Sequence, residues 1–219
     1  MIMELPEKFN MPYAEIAQGE LILEQPVRFE DLVYDLTYAL KKKHCVYCDK
    51  RLKKYDCTID HRYPRATGGI SITNNLFPCC VKHNSDKNNL THDEYMVAMT
   101  LEKNQRRNYE KILRKQKQKI LDTVGFILPD EWVEYIDAEE IKYQKPQVEF
   151  RGKKYYQLLE FYHQHKKLPR PIIVDKENQL LDGYNVLVFA KDFEIQYIPV
   201  VKLENVIVLK YYNNDTIED

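Results

Sequence analysis

Four residues between positions 45 and 83 have the types and spacing to hold a metal ion. Cys45-Val-Tyr-Cys48 offers two thiols from one tight turn, and Cys80-Val-Lys-His83 repeats the spacing with an imidazole in the last place. Two such pairs close a tetrahedron of sulfur and nitrogen, the arrangement that zinc takes in structural sites. A disulfide framework is the weaker expectation, because the chain has five cysteines and no secretory pattern at its start. Cys79 competes with Cys80, since its gap to His83 is also feasible; the matching pair spacing favours Cys80. Cys57 lies in a strand-like run and is expected to pack rather than to bind.

A polar set is interleaved with the metal set. Asp60-His61 closes the run Cys57-Thr-Ile, Pro64, Gly68-Gly69 and Asn74-Asn75-Leu76 follow, and Asn84 and Lys87 come directly after the second pair. These types suit phosphodiester hydrolysis, which needs an activated water, a neutralised phosphate and a stabilised leaving oxygen. An imidazole titrating near neutrality can take a proton from water. Carboxylate and amide oxygens suit a hard divalent ion such as magnesium. Arg62, Arg65 and Lys87 are cations beside this set and can hold flanking phosphates. Taken singly, Asp60-His61 reads as a surface turn and Asn84 as a helix cap; their joint order favours the catalytic reading.

That order of a Cys pair, Asp-His, Pro, Gly-Gly, Asn-Leu, a second pair, Asn and a nearby Lys resembles the HNH endonuclease family. Members of that family build a ββα-metal fold, a hairpin followed by a helix. The one departure is His83, where zinc-bearing members usually carry Cys. The resemblance implies that His61 is the general base and that Asp60 and Asn84 hold a catalytic Mg2+ or Mn2+. It further implies that Asn75 pins the loop that aims His61, that Zn2+ on Cys45, Cys48, Cys80 and His83 is structural, and that the substrate is double-stranded DNA. One such unit cuts one strand at a time, so a double-strand break would need two subunits in a homodimer, or two encounters.

The elements that must position these residues follow from pattern. The chain has 219 residues and a formal net charge of −1, enough for one large or two small domains and not a polycation. Its basic residues are local: Lys41–Lys54 carries seven Lys or Arg, and Lys103–Lys119 carries eight against one Glu. Basic stretches on a near-neutral protein fit a localised nucleic-acid face, with Arg106 and Arg107 as candidate phosphate contacts, although a solvated helix surface is the commoner meaning of such runs. No apolar run is long enough to span a membrane, and reduced thiols with zinc suit the cytoplasm.

Phe29, Leu32, Val33, Leu36 and Leu40 recur at helical spacing, which predicts a helix to Lys43 whose basic end offsets the negative helix terminus. A short strand or arm is expected at Leu21–Leu23. The metal stretch should hold a strand at Cys57–His61, a second near Leu76-Phe77, and a helix from Cys80 or His83. Thr91 can cap a helix to Asn104 that turns Tyr95, Met96, Met99 and Leu101 inward. Gln105–Thr123 reads as a basic helix with a thin apolar stripe of Tyr109, Ile112, Leu113, Gln116, Ile120 and Leu121, stopped by Gly125 and Pro129. Asp130–Gln147 is expected to be a helix and linker, with a boundary near Pro146.

Beyond that boundary the pattern alternates. A helix over Tyr155–His165, strands at Ile172–Val174 and Gln179–Leu181, Asp182-Gly183-Tyr184 opening a helix to Ala190, and strands at Ile198–Val201 and Val206–Val208 are expected. This order resembles the ParB/sulfiredoxin-like domain. Members usually place a His or Arg pair after the Asp-Gly to grip phosphate, and Tyr184-Asn185 stands there instead. A scaffold or recognition domain, contacting DNA or a protein partner, is what the resemblance then implies.

The fold class read from sequence is α+β: a ββα-metal HNH nuclease core with flanking helices and a small C-terminal α/β ParB-like domain. The segments are an arm and helix at 1–43, the zinc-stabilised core at 44–90, a helical extension at 91–147 and the C-terminal domain at 148–219. A metal-dependent endonuclease is the leading function. A non-catalytic zinc-stabilised DNA-binding or assembly protein is the alternative.

Overall fold

The computed structural model describes residues 14–17, 20–23, 29–41, 43–143, 152–203 and 210–211. The expected strand at Val206–Val208 and the boundary near Pro146 lie outside these residues. The fold is α+β. Strands β1 (Ala14–Ala17) and β2 (Glu20–Leu23) form an antiparallel pair that β9 (Lys210–Tyr211) joins in parallel. Helix α1 (Phe29–Leu40) comes next, then the antiparallel hairpin of β3 (Cys57–His61) and β4 (Leu76–Cys80), in register from Cys57 opposite Cys80 to His61 opposite Leu76. Helix α2 (Val81–Lys87) follows β4 without a loop. Helix α1 packs on the hairpin, and its terminus is stapled there by Lys41. The Lys41 ammonium donates to the carbonyls of Thr73 and Leu76 and lies 3.6 Å from the Phe77 ring centroid. The expected basic closure of α1 therefore serves the hairpin rather than the end of its own helix.

Helix α3 (His92–Thr100) begins on a capping box, with Thr91 accepting from the Glu94 backbone and Glu94 accepting from that of Thr91. It buries Tyr95 and Ala98, whereas Met96, expected inward, is exposed. Helix α4 (Lys103–Val124) ends at Gly125, whose φ of 97° reverses the chain. Its side facing the rest of the molecule holds Leu113, Lys117 and Leu121, while Ile112 and Ile120 of the expected stripe are exposed. Lys117 pairs with Glu94 and donates to the Asn89 carbonyl, so ion pairs rather than a wide apolar face dock this helix.

The remaining elements build one sheet. Strand β5 (Glu134–Asp137), helix α5 (Lys153–His165), β6 (Ile172–Asp175), β7 (Leu180–Asp182), helix α6 (Tyr184–Asp192) and β8 (Tyr197–Leu203) give the strand order β5-β8-β6-β7, with β6 parallel to β8. The helix expected over 130–147 is thus a short 3-10 turn followed by a strand, because pairing with β8 is available to Glu134–Asp137 only in three dimensions. Ile172, Val174, Ile198 and Val200 face a core shared with Tyr155 and Leu158 of α5 and Phe189 and Ala190 of α6. Ile173 and Val201 face the other way, onto Ile70 and Ile72 from the loop between β3 and β4, with Leu128, Trp132 and Val133 around them. Burial on both faces is why β6 and β8 read as unbroken apolar runs. The two parts of the chain meet closely at Gly68 (φ +86°), where a Cβ would overlap Phe126 and the Pro169 carbonyl. Among the described residues no helix is long and apolar enough to cross a membrane.

Candidate functional site

The metal set is assembled by the hairpin and the turn before it. The Cys45 N–H donates to the Lys50 carbonyl and the Asp49 N–H to that of Cys45, which folds 45–50 into a knuckle; Val46 N–H ties the knuckle to the Pro78 carbonyl on β4. Cys80 ends β4 and His83 lies on the first turn of α2. The sulfur atoms of Cys45, Cys48 and Cys80 and a ring nitrogen of His83 all lie within 4.8 Å of one another. His83 Nδ1 is 3.2 Å from Cys80 Sγ and 3.6 Å from Cys45 Sγ. Burial resists ionisation of Cys45, yet backbone N–H groups of Cys80, Tyr47 and Cys48, together with His83, outweigh it and bring the thiol down to about 6. Burial pushes the Cys79 thiol up instead, and Cys79 packs 4.0 Å from Cys45 Sγ and donates to the Cys80 carbonyl. The donor set is therefore Cys45, Cys48, Cys80 and His83, three sulfurs and one nitrogen that could hold a metal ion and suit zinc. Cys57 packs beside this group rather than joining it.

The polar set divides across β3. Strand alternation turns Thr58 and Asp60 towards α2 and His61 towards α1. Asn84 Nδ2 donates to Thr58 Oγ1 (3.1 Å), which leaves Oδ1 as the atom it can offer an ion. Asp60 is 4 % exposed, and both its oxygens are engaged: Oδ1 by the Lys87 ammonium (3.0 Å) and Oδ2 by the Tyr47 hydroxyl (2.6 Å). Lys87 also donates to the His61 carbonyl (2.7 Å) and is 1 % exposed. Lys87, expected to meet phosphate at the surface, is instead the internal counter-ion of Asp60. Burial and the Asp60 charge hold the Tyr47 phenol protonated. Tyr47 also stacks on His92 (5.2 Å) and meets Tyr95 edge-on (4.8 Å), so it links the knuckle, the carboxylate and α3.

His61 is 8 % exposed. Its Nε2 lies 3.1 Å from Ser71 Oγ, and the Tyr34 ring of α1 meets it edge-on at 6.1 Å. Asn75 is fully buried and spans the loop after His61: its Oδ1 accepts from Tyr63 N–H (2.8 Å), and its Nδ2 donates to the carbonyls of Tyr63 (3.1 Å) and Ile70 (2.8 Å). Of the other candidate phosphate contacts, Arg62 pairs with Asp93, and Arg106 is drawn onto Asp86 and Glu110. Arg65 and Arg107 are exposed.

No family model, curated protein or solved structure matches the chain. The geometry therefore carries the functional reading by itself. Tyr47, Ser71 and Tyr34, which touch Asp60 and His61, had no sequence signal that set them apart. Tyr47 stands inside the first Cys pair, where any turn residue would serve the metal, and Ser71 lies in a loop whose path only the fold defines.

Proposed function

We propose that the chain is a zinc-stabilised HNH-type endonuclease that hydrolyses phosphodiester bonds in DNA. One observation supports this reading: Asp60-His61, Asn75 and Asn84 are carried by a single hairpin–helix unit whose ends are gathered by the Cys45, Cys48, Cys80 and His83 cluster. In this reading His61 accepts the proton of the attacking water. Asn75 fixes the loop that follows His61. Asp60 and Asn84 are the oxygens that would hold magnesium or manganese, whose chemistry is to neutralise the phosphate and the departing 3′ oxygen. Arg65 and Arg107 are exposed cations for the flanking backbone. The segment from 148, similar in element order to ParB/sulfiredoxin-like domains, serves as a recognition or scaffold unit; α6 starts at Gly183-Tyr184 with neither Arg nor His in its first positions.

The test is plasmid nicking in magnesium by wild type and His61→Ala. Loss of a general base removes about 10²- to 10⁴-fold of the rate. Equal cutting by both proteins would remove His61 from the mechanism. A second reading, a zinc-anchored DNA-binding or assembly module that does not cut, is favoured by the Asp60–Lys87 pair and the burial of His61. It predicts magnesium-independent retention of DNA with no nicks in magnesium or manganese.

A further inference from the structure

Helix α4 divides its cations between two faces. Arg106 and Lys117 face the rest of the molecule and are engaged there: Arg106 holds Asp86 and Glu110, and Lys117 holds Glu94 and the Asn89 carbonyl. The other acid of the helix, Asp122, pairs with His165 and accepts from Gln118. Lys103, Arg107, Lys111, Arg114 and Lys115 are exposed, and none of them forms an ion pair among the described residues. At 3.6 residues per turn these five fall within about 120° of arc and span about 18 Å of helix. Asn104 shares that stretch of the face; Glu110 lies off it, on Arg106. Lys103 with Arg107, Arg107 with Lys111, and Lys111 with Lys115 are like-charged pairs four residues apart, an arrangement that weakens a helix. An anion lying along the face would remove that repulsion. The face is also fixed relative to the candidate site, because Arg106 donates to the backbone carbonyl of Asp86 on α2, the helix that carries Asn84. A cleft of about 450 Å³ between α4 and the turn after α2 is lined by Arg114, Asn88 and Asn89, and its acids Asp86 and Glu110 are both held by Arg106.

We propose that the outer face of α4 is a docking surface for the phosphate backbone of duplex DNA, and that it sets the duplex against the hairpin–helix unit. This rests on the reading of DNA as the ligand, and not on whether the protein cuts it. Five cations over about 18 Å give roughly one charge per 4.5 Å, close in density to a DNA strand, which offers one phosphate per about 3.4 Å of axis. That match is to a line of phosphates rather than to a single anion. Four of the five lie from Arg107 to Lys115, and Lys side chains grip phosphate as point charges without reading bases. Binding along this face is therefore independent of sequence and driven by counter-ion release. Arg106, whose charge is already met by two carboxylates, takes no part in it.

The experiment measures affinity for a short duplex of arbitrary sequence by fluorescence anisotropy, over a range of salt, with zinc-loaded protein and no magnesium. The slope of log affinity against log salt counts neutralised phosphates at about 0.9 each. A quadruple variant with Arg107→Gln, Lys111→Gln, Arg114→Gln and Lys115→Gln should lose about 3 to 4 from that slope. Gln is as good a helix former as Lys or Arg, so circular dichroism and zinc content should stay at wild-type values. Lys111→Arg with Lys115→Arg, which keeps the charge, should bind as wild type does. Arg107→Gln with Lys111→Gln should lower the slope by about 2. Lys153→Gln with Lys154→Gln removes the same charge from exposed positions of α5 and should leave the slope unchanged. A wild-type slope in the quadruple variant, or an equal fall in the α5 variant, overturns the proposal. Tighter binding of polyglutamate than of the duplex also overturns it, and gives the face to an acidic protein. If wild type binds DNA through α4 and cuts nothing, the nuclease reading fails and the docking surface stands. If wild type cuts and the quadruple variant keeps the wild-type slope, the docking surface fails and the nuclease reading stands.

Discussion

At the scale of residues, the Asp60–Lys87 pair governs how this unit is held together. Two opposite charges taken out of water each lose several kcal/mol of solvation, and they recover it only if their remaining hydrogen-bonding positions are filled. Here they are: Lys87 reaches Asp60 and the His61 carbonyl, and Asp60 has Tyr47 on its second oxygen. Lys87→Met should therefore cost about 3–5 kcal/mol, since it strands a buried carboxylate. Combining it with Asp60→Leu should restore much of that loss, because an apolar pair of similar volume leaves no charge unmet. Urea unfolding of the zinc-loaded single and double variants measures both. A Lys87→Met cost under about 1 kcal/mol would mean that the carboxylate finds water or a proton instead. Part of this pairing was legible in the chain. Thr58 and Asp60 are two apart on a strand and Asn84 and Lys87 three apart on a helix, so each pair projects from one face and the two can meet. What the spacing left open was whether Lys87 would turn inward or out to phosphate. That was decided by Tyr47 and by the closeness of α2 to β3.

At the scale of elements, local signals were readable wherever a helix carries its own boundary chemistry. Thr91 and Glu94 form the box that starts α3, and Gly125 ends α4 in the left-handed conformation. The start of α3 matters for the site because His92, its first residue, lies between the rings of Tyr47 and Phe77. Thr91→Ala should lower stability by about 1 kcal/mol, the usual cost of losing an N-cap. It should also broaden the ring resonances of Tyr47 and His92 as the first turn frays; sharp, unshifted resonances would show that the aromatic stack, not the cap, fixes this turn. Signals failed where an element depends on a distant partner. Glu134–Asp137 has acidic ends and four residues, and nothing in them distinguishes a strand from a polar helix until β8 lies alongside. For the same reason Met96 was misplaced: α3 is short, and its buried face is set by Ala98 and by Tyr95, which meets Tyr47 of the knuckle, rather than by the number of apolar residues it carries.

At the scale of the molecule, the contact between the hairpin loop and the C-terminal sheet joins segments that pattern alone would separate. Ile70 and Ile72 sit in a stretch of Gly, Ser, Thr and Asn that reads as a polar loop, so their burial against Ile173 and Val201 could not be read from periodicity. The consequence concerns the metal. Donors drawn from the knuckle, β4 and α2 could meet one ion only when those three are folded together, so affinity for such an ion would be folding free energy for this unit. If the hairpin loop covers the second face of the sheet, stripping the metal must reach β6 and β8 as well. A strong chelator should therefore raise amide hydrogen exchange in Cys57–His61 and Leu76–Lys87 first. It should also raise exchange at the β6 and β8 amides beside Ile173 and Val201, and adding back one equivalent of zinc should reverse both. Cys80→Ala should give the same exchange pattern without chelator. Unchanged protection in β6 and β8 under either treatment would mean that α5 and α6 hold the sheet by themselves, and that the contact of Ile70 and Ile72 transmits nothing.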